Sequence, residues 1–344
     1  MRVAAPARRL DLESAEGVAR ADLSLCDVLL YRGTGLLSRA IRFFDGTEVS
    51  HTGLYLGGAD YAVGEAIGEG LVRRPLNVSV AGAEWVLVRR LKDLPPDMTP
   101  VRQRGERYIA QGNRYAYEQI LLLAFITLIR KPKMTPIFKQ LVLGVLNAAT
   151  SLLLRLTSMG RQPMICSEFV YRAYDEALPD AQDKYSLRIG GSDLESFGRA
   201  ARGPAGGQGI HPESLLGQAV LHPEILSRGP SLERAAVQPR IDLETALNEY
   251  LREVQEPVSE LEGSPAAPLA DPQIAAAIED FAAALYRAEE PADTERLSPR
   301  RNLSLEAVGV PSALQHLYRT AADFVTPGDL LKTQSLFSVG RLQS

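Results

Sequence analysis

Cys166 is the residue of this 344-residue chain best suited to act as a nucleophile, and its setting is PMICSEFVYRAY (163–174). Pro163 followed by the apolar stripe Phe169, Val170, Ala173 and Tyr174 predicts a helix with the thiol at or near its first turn. The positive end of a helix dipole favours the thiolate, and its unpaired backbone N–H groups can receive an oxyanion. A free cysteine taken alone is more often a small buried hydrophobe.

His51 interrupts the apolar run VSHTGLYLG (49–57), where alternation sets Thr52, Leu54 and Leu56 on one face and His51, Gly53 and Tyr55 on the other. Glu65 follows in YAVGEAIG (61–68), the next strand-like run. In an antiparallel hairpin a three-residue loop at Gly57–Ala59 puts Glu65 directly opposite His51; a two-residue loop at Gly58–Ala59 turns it to the other face. Glu69 is a competing carboxylate. Thiol, imidazole and carboxylate together suit nucleophilic acyl transfer. His51 would take the thiol proton and return it to the leaving group, and Glu65 would orient the ring and stabilise the imidazolium.

These groups need a sheet and a helix to hold them. DVLLYRG (27–33), 49–57, 61–68, 70–76 and 84–91 read as strands joined mostly by short turns, which predicts an antiparallel meander, and 36–44 reads as a short helix. From Thr99 the pattern turns helical: a segment through Ala110, the apolar runs 120–129 and 137–156 around a Pro132–Pro136 turn, then the cysteine helix. Strands first and helices after make an α+β domain. Pro/Gly/Ser-rich stretches near 227–230, 257–268 and 291–299 bracket two helices, 243–254 and 272–288. Residues 203–310 are therefore expected to form an acidic helical appendage or insertion with mobile linkers. The tail, 311–344, becomes orderly again and is expected to complete a domain formed by 22–202.

Composition excludes several classes. Hydrophobic residues make 45% and charged residues 23%, an ordinary globular balance. A net charge of −4 gives no reason to expect nucleic acid. The charge is uneven: residues 241–300 hold fourteen Asp/Glu against four Lys/Arg, a net of −10 that leaves +6 elsewhere. Two cysteines and four histidines without C-x-x-C or H-E-x-x-H spacing predict no metal, and no cofactor is expected. GPAGGQG (203–209) lacks the Lys-Ser/Thr of a phosphate loop, and no G-x-S-x-G elbow occurs. The amino terminus develops no signal h-region, so a cytoplasmic location, membrane-surface association or export by a non-Sec route is expected. The run 120–129 is too short to span a bilayer, while 137–156 carries Lys139, Gln140, Asn147 and Arg155. Arg130, Lys131, Lys133 and Lys139 flank these helices, so 120–156 either contacts a membrane surface or completes the core.

The order of motifs resembles the circularly permuted papain-like amidases, the YiiX/YaeF-like branch of the NlpC cell-wall peptidase superfamily. The resemblance rests on Ser50-His51 before GLYLG, Glu65 on the next strand, and ICSEFVYRAY (165–174) 115 residues after His51. Cys26-Asp27 stands where that family opens with Gly-Asp, Gly112-Asn113-Arg114-Tyr115 is similar to its Gly-x-x-Tyr element, and VTPGDLLKTQSL (325–336) to its closing segment. The likeness covers about 22–200 and 320–344. It implies a permuted papain-like domain, an antiparallel sheet packed on helices, with a Cys166-His51-Glu65 triad that cleaves an amide, peptide or N-acyl, through a Cys thioester. Tyr55, Ser167 and Tyr115 are the candidate substrate contacts. The arrangement is also similar to lecithin:retinol acyltransferase-like enzymes, which move acyl chains from phospholipids; there a histidine stands in place of Glu65 and the cysteine motif is Asn-Cys-Glu-His. A third reading is a catalytically silent module that holds a peptide or lipid in its groove.

Overall fold

The computed structural model describes residues 17–343 apart from 69, 94, 112–113, 116–117, 131–134, 161, 179–183, 190–209, 212, 223–242, 256–270 and 290–309. Alternating apolar residues between Asp27 and Leu91 form β2 (Val28–Gly33), β3 (His51–Gly57), β4 (Ala62–Ile67), β5 (Gly70–Pro75) and β6 (Ala83–Leu91). With β1 (Gly17–Val18) and β9 (Leu336–Leu342) they make a seven-stranded sheet of order β1-β9-β6-β2-β3-β4-β5. The β1–β9 pair is parallel and the others antiparallel, so the sheet is mixed and the class is α+β. The expected meander holds from β2 to β5 and then breaks, because β6 returns to pair with β2. Helix α2 (Leu76–Val80) carries the chain back, and its Ser79 Oγ lies 2.7 Å from Tyr31 Oη.

Period-two alternation sorts the strand residues onto two faces. Val28, Leu30, Leu54, Leu56 and Leu87 share one core with Val101 and Tyr108 of α3 (Thr99–Ala110) and Phe169 and Val170 of α6 (Cys166–Asp175). Leu29, Tyr31, Tyr55, Val63 and Val88 share the other with Leu76 of α2.

A third core is helical. It joins α1 (Leu36–Asp45), α4 (Glu118–Ile129), α5 (Pro136–Ser158), α7 (Leu215–Leu221), α8 (Leu243–Gln255), α9 (Pro272–Glu289) and α10 (Val310–Ala322). Helices α8 and α9 pack on α5, because Leu247 and Tyr250 of the one and Ile274, Ile278 and Phe281 of the other form apolar stripes that need cover. Helix α5 is long and apolar enough to cross a bilayer, yet 61% of its most apolar window is buried inside the protein. The stretches expected to be linkers, 203–209, 227–230, 257–268 and 291–299, lie outside the described residues.

The closing segment is held at both ends of α11 (Pro327–Lys332). Asp45, 3% exposed at the end of α1, accepts from Thr326 Oγ1 at 2.9 Å and from the Gly328 N–H at 2.8 Å, and pairs with Arg130 at 2.8 Å. At the other end the buried Arg89 guanidinium donates to the carbonyls of Leu330, Leu331, Thr333 and Leu336. Acid at the start and cation at the end complement the helix dipole. β9 then pairs with β6.

Asp329 closes a capping box with Thr326 in this buried corner. Burial first, and then the neighbouring Asp45 carboxylate, push its carboxyl up to about 6. A folded-state pKa above the unfolded one means that the stability it confers is complete below about pH 4 and is lost as pH rises through about 6. Relative to the wild type, Asp329→Asn should therefore gain about 2–3 kcal/mol between pH 4 and pH 7. Urea unfolding at those two pH values checks this, and an unchanged difference between the two proteins would refute it.

Candidate functional site

Four side chains from four adjacent strands lie in a row on the α2 face of the sheet. Tyr31 on β2 is the direct ladder partner of His51 on β3, and their rings are 5.0 Å apart. Glu65 on β4 accepts through Oε2 from His51 Nε2–H at 3.0 Å. Its other oxygen, Oε1, accepts from Arg74 Nη1 on β5 at 3.1 Å. Glu65 is 1% exposed, so both oxygens of a buried carboxylate have a partner, as buried charge requires.

The hairpin register differs from both expected loops. Residues Gly58–Tyr61 form the turn, and the ladder pairs Glu65 with Gly53 and Val63 with Tyr55, with a bulge between Tyr55 and Gly57. Glu65 is thus diagonal to His51 rather than opposite it. It stays on the same face, and a long side chain spans the diagonal gap of roughly 7–8 Å between backbone positions. Gly53 has no side chain in the way, and a Cβ there would meet Val63 and the Tyr31 ring within 3.4 Å. Glu69 lies outside the described residues.

Cys166 is the first residue of α6, after Ile165 as N-cap. The helix packs on β3 and β4. Its direction follows from two contacts: Tyr174 Oη donates to the Cys26 carbonyl just before β2, and Phe169 lies against Gly64 and Leu54. Because β2 and β3 are antiparallel, α6 begins at the end of the sheet where β3 begins, so Cys166 and His51 share that end. α6 covers the face of Leu54 and Leu56, and the His51 ring lies beside that of Tyr31. Cys166 is 1% exposed.

A cleft of about 500 Å³ opens on His51 and Glu65, walled among others by Tyr31, Ser38, Arg74, Ser79 and Gln119. A second cavity, also about 500 Å³, lies beside α6, with Met164 and Ile165 in its wall and a His316–Glu289 pair at 2.8 Å. Cys166 lines neither.

The candidate substrate contacts fare differently. Tyr55 is 6% exposed in the core under α2, and Ser167 is fully buried with its Oγ donating to the Val325 carbonyl at 2.6 Å. Tyr55 packs in the sheet face beneath α2, and Ser167 links α6 to the closing segment. Tyr115 lies in β7 (Arg114–Tyr115), where it pairs with Pro163 of β8 (Gln162–Pro163), three residues before the cysteine. The residue missed in the sequence is Arg74. Alternation in GLVRRP (70–75) sets Val72 and Arg74 on the Glu65 face, and that signal was available.

Fold and site define an α+β protein with a seven-stranded mixed sheet and a His–Glu–Arg row around a buried carboxylate. No family model matches the chain, and no curated protein matches it. Among solved structures it is similar to a crystal structure of the metalloprotein yiiX from Escherichia coli O157:H7, at 22% identity over 46% of this chain and 67% of that one, with a TM-score of 0.29. A likeness of that strength sets no residue correspondence. Among the described residues no group of three or more His, Cys, Asp or Glu is placed to hold a metal ion.

Proposed function

We propose that this chain is a thiol hydrolase of permuted papain-like type that cleaves an amide, peptide or N-acyl, through a thioester on Cys166. The observation that carries the reading is the His51–Glu65 bond at 3.0 Å, made with a carboxylate only 1% exposed, at the sheet end where α6 begins with a cysteine. Glu65 engages Nε2, so Nδ1 is the nitrogen that would take the thiol proton. The imidazolium would then protonate the leaving amine, and water would release the acyl group. The first-turn N–H groups of α6 suit the oxyanion.

The burial of Cys166 favours a second reading, a silent binding module that uses the cleft without covalent chemistry. Intact-mass measurement after incubation with peptidoglycan fragments, and separately with phospholipid vesicles, distinguishes them. We expect a peptide or N-acyl adduct on the wild type that Cys166→Ser lacks. A fatty-acyl adduct assigns the thiol to lipid acyl transfer instead, and no adduct with either substrate leaves the silent module.

A further inference from the structure

The ordinary effect of a buried carboxylate on an adjacent histidine is to hold the ring protonated, since an opposite charge favours the charged form. That would work against His51 as a base near neutral pH. The geometry points to Arg74 as a positioning residue that shares the Glu65 carboxylate with His51, so that the ring is oriented by Glu65 yet remains unprotonated and able to accept a proton. This rests on the reading of His51 as a general base.

Three observations support it. The carboxylate is divided, with Oε2 on His51 and Oε1 on Arg74, so the ring faces a nearly neutral ion pair rather than a bare anion. Arg74 is fixed from behind, because its Nη2 donates to the Val78 carbonyl of α2 at 3.4 Å while its backbone sits in the β4–β5 ladder opposite Val63. Among the groups against the ring are Tyr31 from β2, Glu65 from β4 and, behind Glu65, Arg74 from β5; α6, packed on β3, begins at Cys166. Tyr31 cannot supply the balancing charge. Its phenol is pushed up by burial and stays neutral, with Oη held by Ser79. Arg74 is therefore the cation in this row that offsets Glu65.

A guanidinium also suits the position by shape. Its planar fork reaches a carboxylate oxygen and a backbone carbonyl together, which an ammonium does less well. Arg74→Lys should keep most of the charge effect and lose part of the orientation, while Arg74→Gln should lose the charge.

The test is an NMR titration of the His51 imidazole in the full-length protein, with the resonance assigned by comparison with His51→Gln. Arg74→Gln should raise the midpoint by about one pH unit or more, Arg74→Lys should move it by less than half as much, and Glu65→Gln should lower it. A midpoint that moves by less than about 0.2 unit in Arg74→Gln, with the fold intact by circular dichroism, overturns the proposal. If Arg74→Gln does not fold, the Arg74→Lys and Glu65→Gln titrations decide: shifts in the same direction would refute the balance of charges. A parallel pH profile of Cys166 alkylation separates this inference from the function it rests on. A shifted histidine with an unshifted alkylation profile leaves the ion-pair balance standing and removes the thiol–imidazole pair.

Discussion

Replacing His51 by alanine should slow iodoacetamide alkylation of Cys166 by about 100-fold at pH 7, the lower end of what a positioned base contributes. Cys26 is the internal control. It is also 1% exposed, and burial, followed by the Asp27 carboxylate, pushes its thiol well up, with Sγ donating to the Met98 carbonyl at 3.5 Å. In the wild type Cys166 should therefore react at least about 100-fold faster than Cys26, because the two are equally buried but Cys166 has a helix N-terminus and a base where Cys26 has the Asp27 carboxylate. Peptide mapping by mass spectrometry over a time course measures both rates in one sample. Two thiols that label equally slowly, with no dependence on His51, would end the enzymatic reading and leave Cys166 as core.

Asp45→Ala should destabilise the protein by about 2–4 kcal/mol, chiefly because two buried donors lose their acceptor, while the ion pair to the 31% exposed Arg130 adds less. Its carboxylate serves three donors from two distant segments: Arg130 after α4, and Thr326 and Gly328 before and within α11. Substitution strands all three. Gly328 shows how tightly the corner is built, since a Cβ there would lie 2.3 Å from Asp45 Oδ2. The same corner supports the site indirectly, because Ser167, next to the cysteine, is tied to Val325 immediately upstream. Urea unfolding followed by circular dichroism gives the stability change. A loss below about 1 kcal/mol would show that Asp45 is an ordinary helix-end residue and not the anchor of the closing segment.

Much of the site could be read along single strands. His51 and Glu65 share a face because alternation is local, and the even offset of the hairpin preserves it even though the loop is longer than either expected form. The amphipathic run after Pro163 likewise marks a helix that begins at Cys166. Residue pairs that depend on which strands become neighbours were less accessible. Arg89 reaches carbonyls more than 240 positions away, and nothing local in VLVRRL (86–91) distinguishes it from Arg90, which instead pairs with Asp27 at 2.8 Å. Tyr55 and Ser167 lie beside chemically suggestive residues in sequence but are enclosed by α2 and by the closing segment.

By itself the chain determined its elements, since side-chain periodicity is a property of a few consecutive residues, and it set the types of chemistry available at Cys166, His51 and Glu65. Only the tertiary structure decided that β6 turns back to β2, that β9 joins it, that the acidic segment's helices cover α5, and that Arg74 completes the row on Glu65. Those outcomes follow from burying apolar faces and satisfying buried charges across the whole molecule, and such terms have no value until distant segments meet.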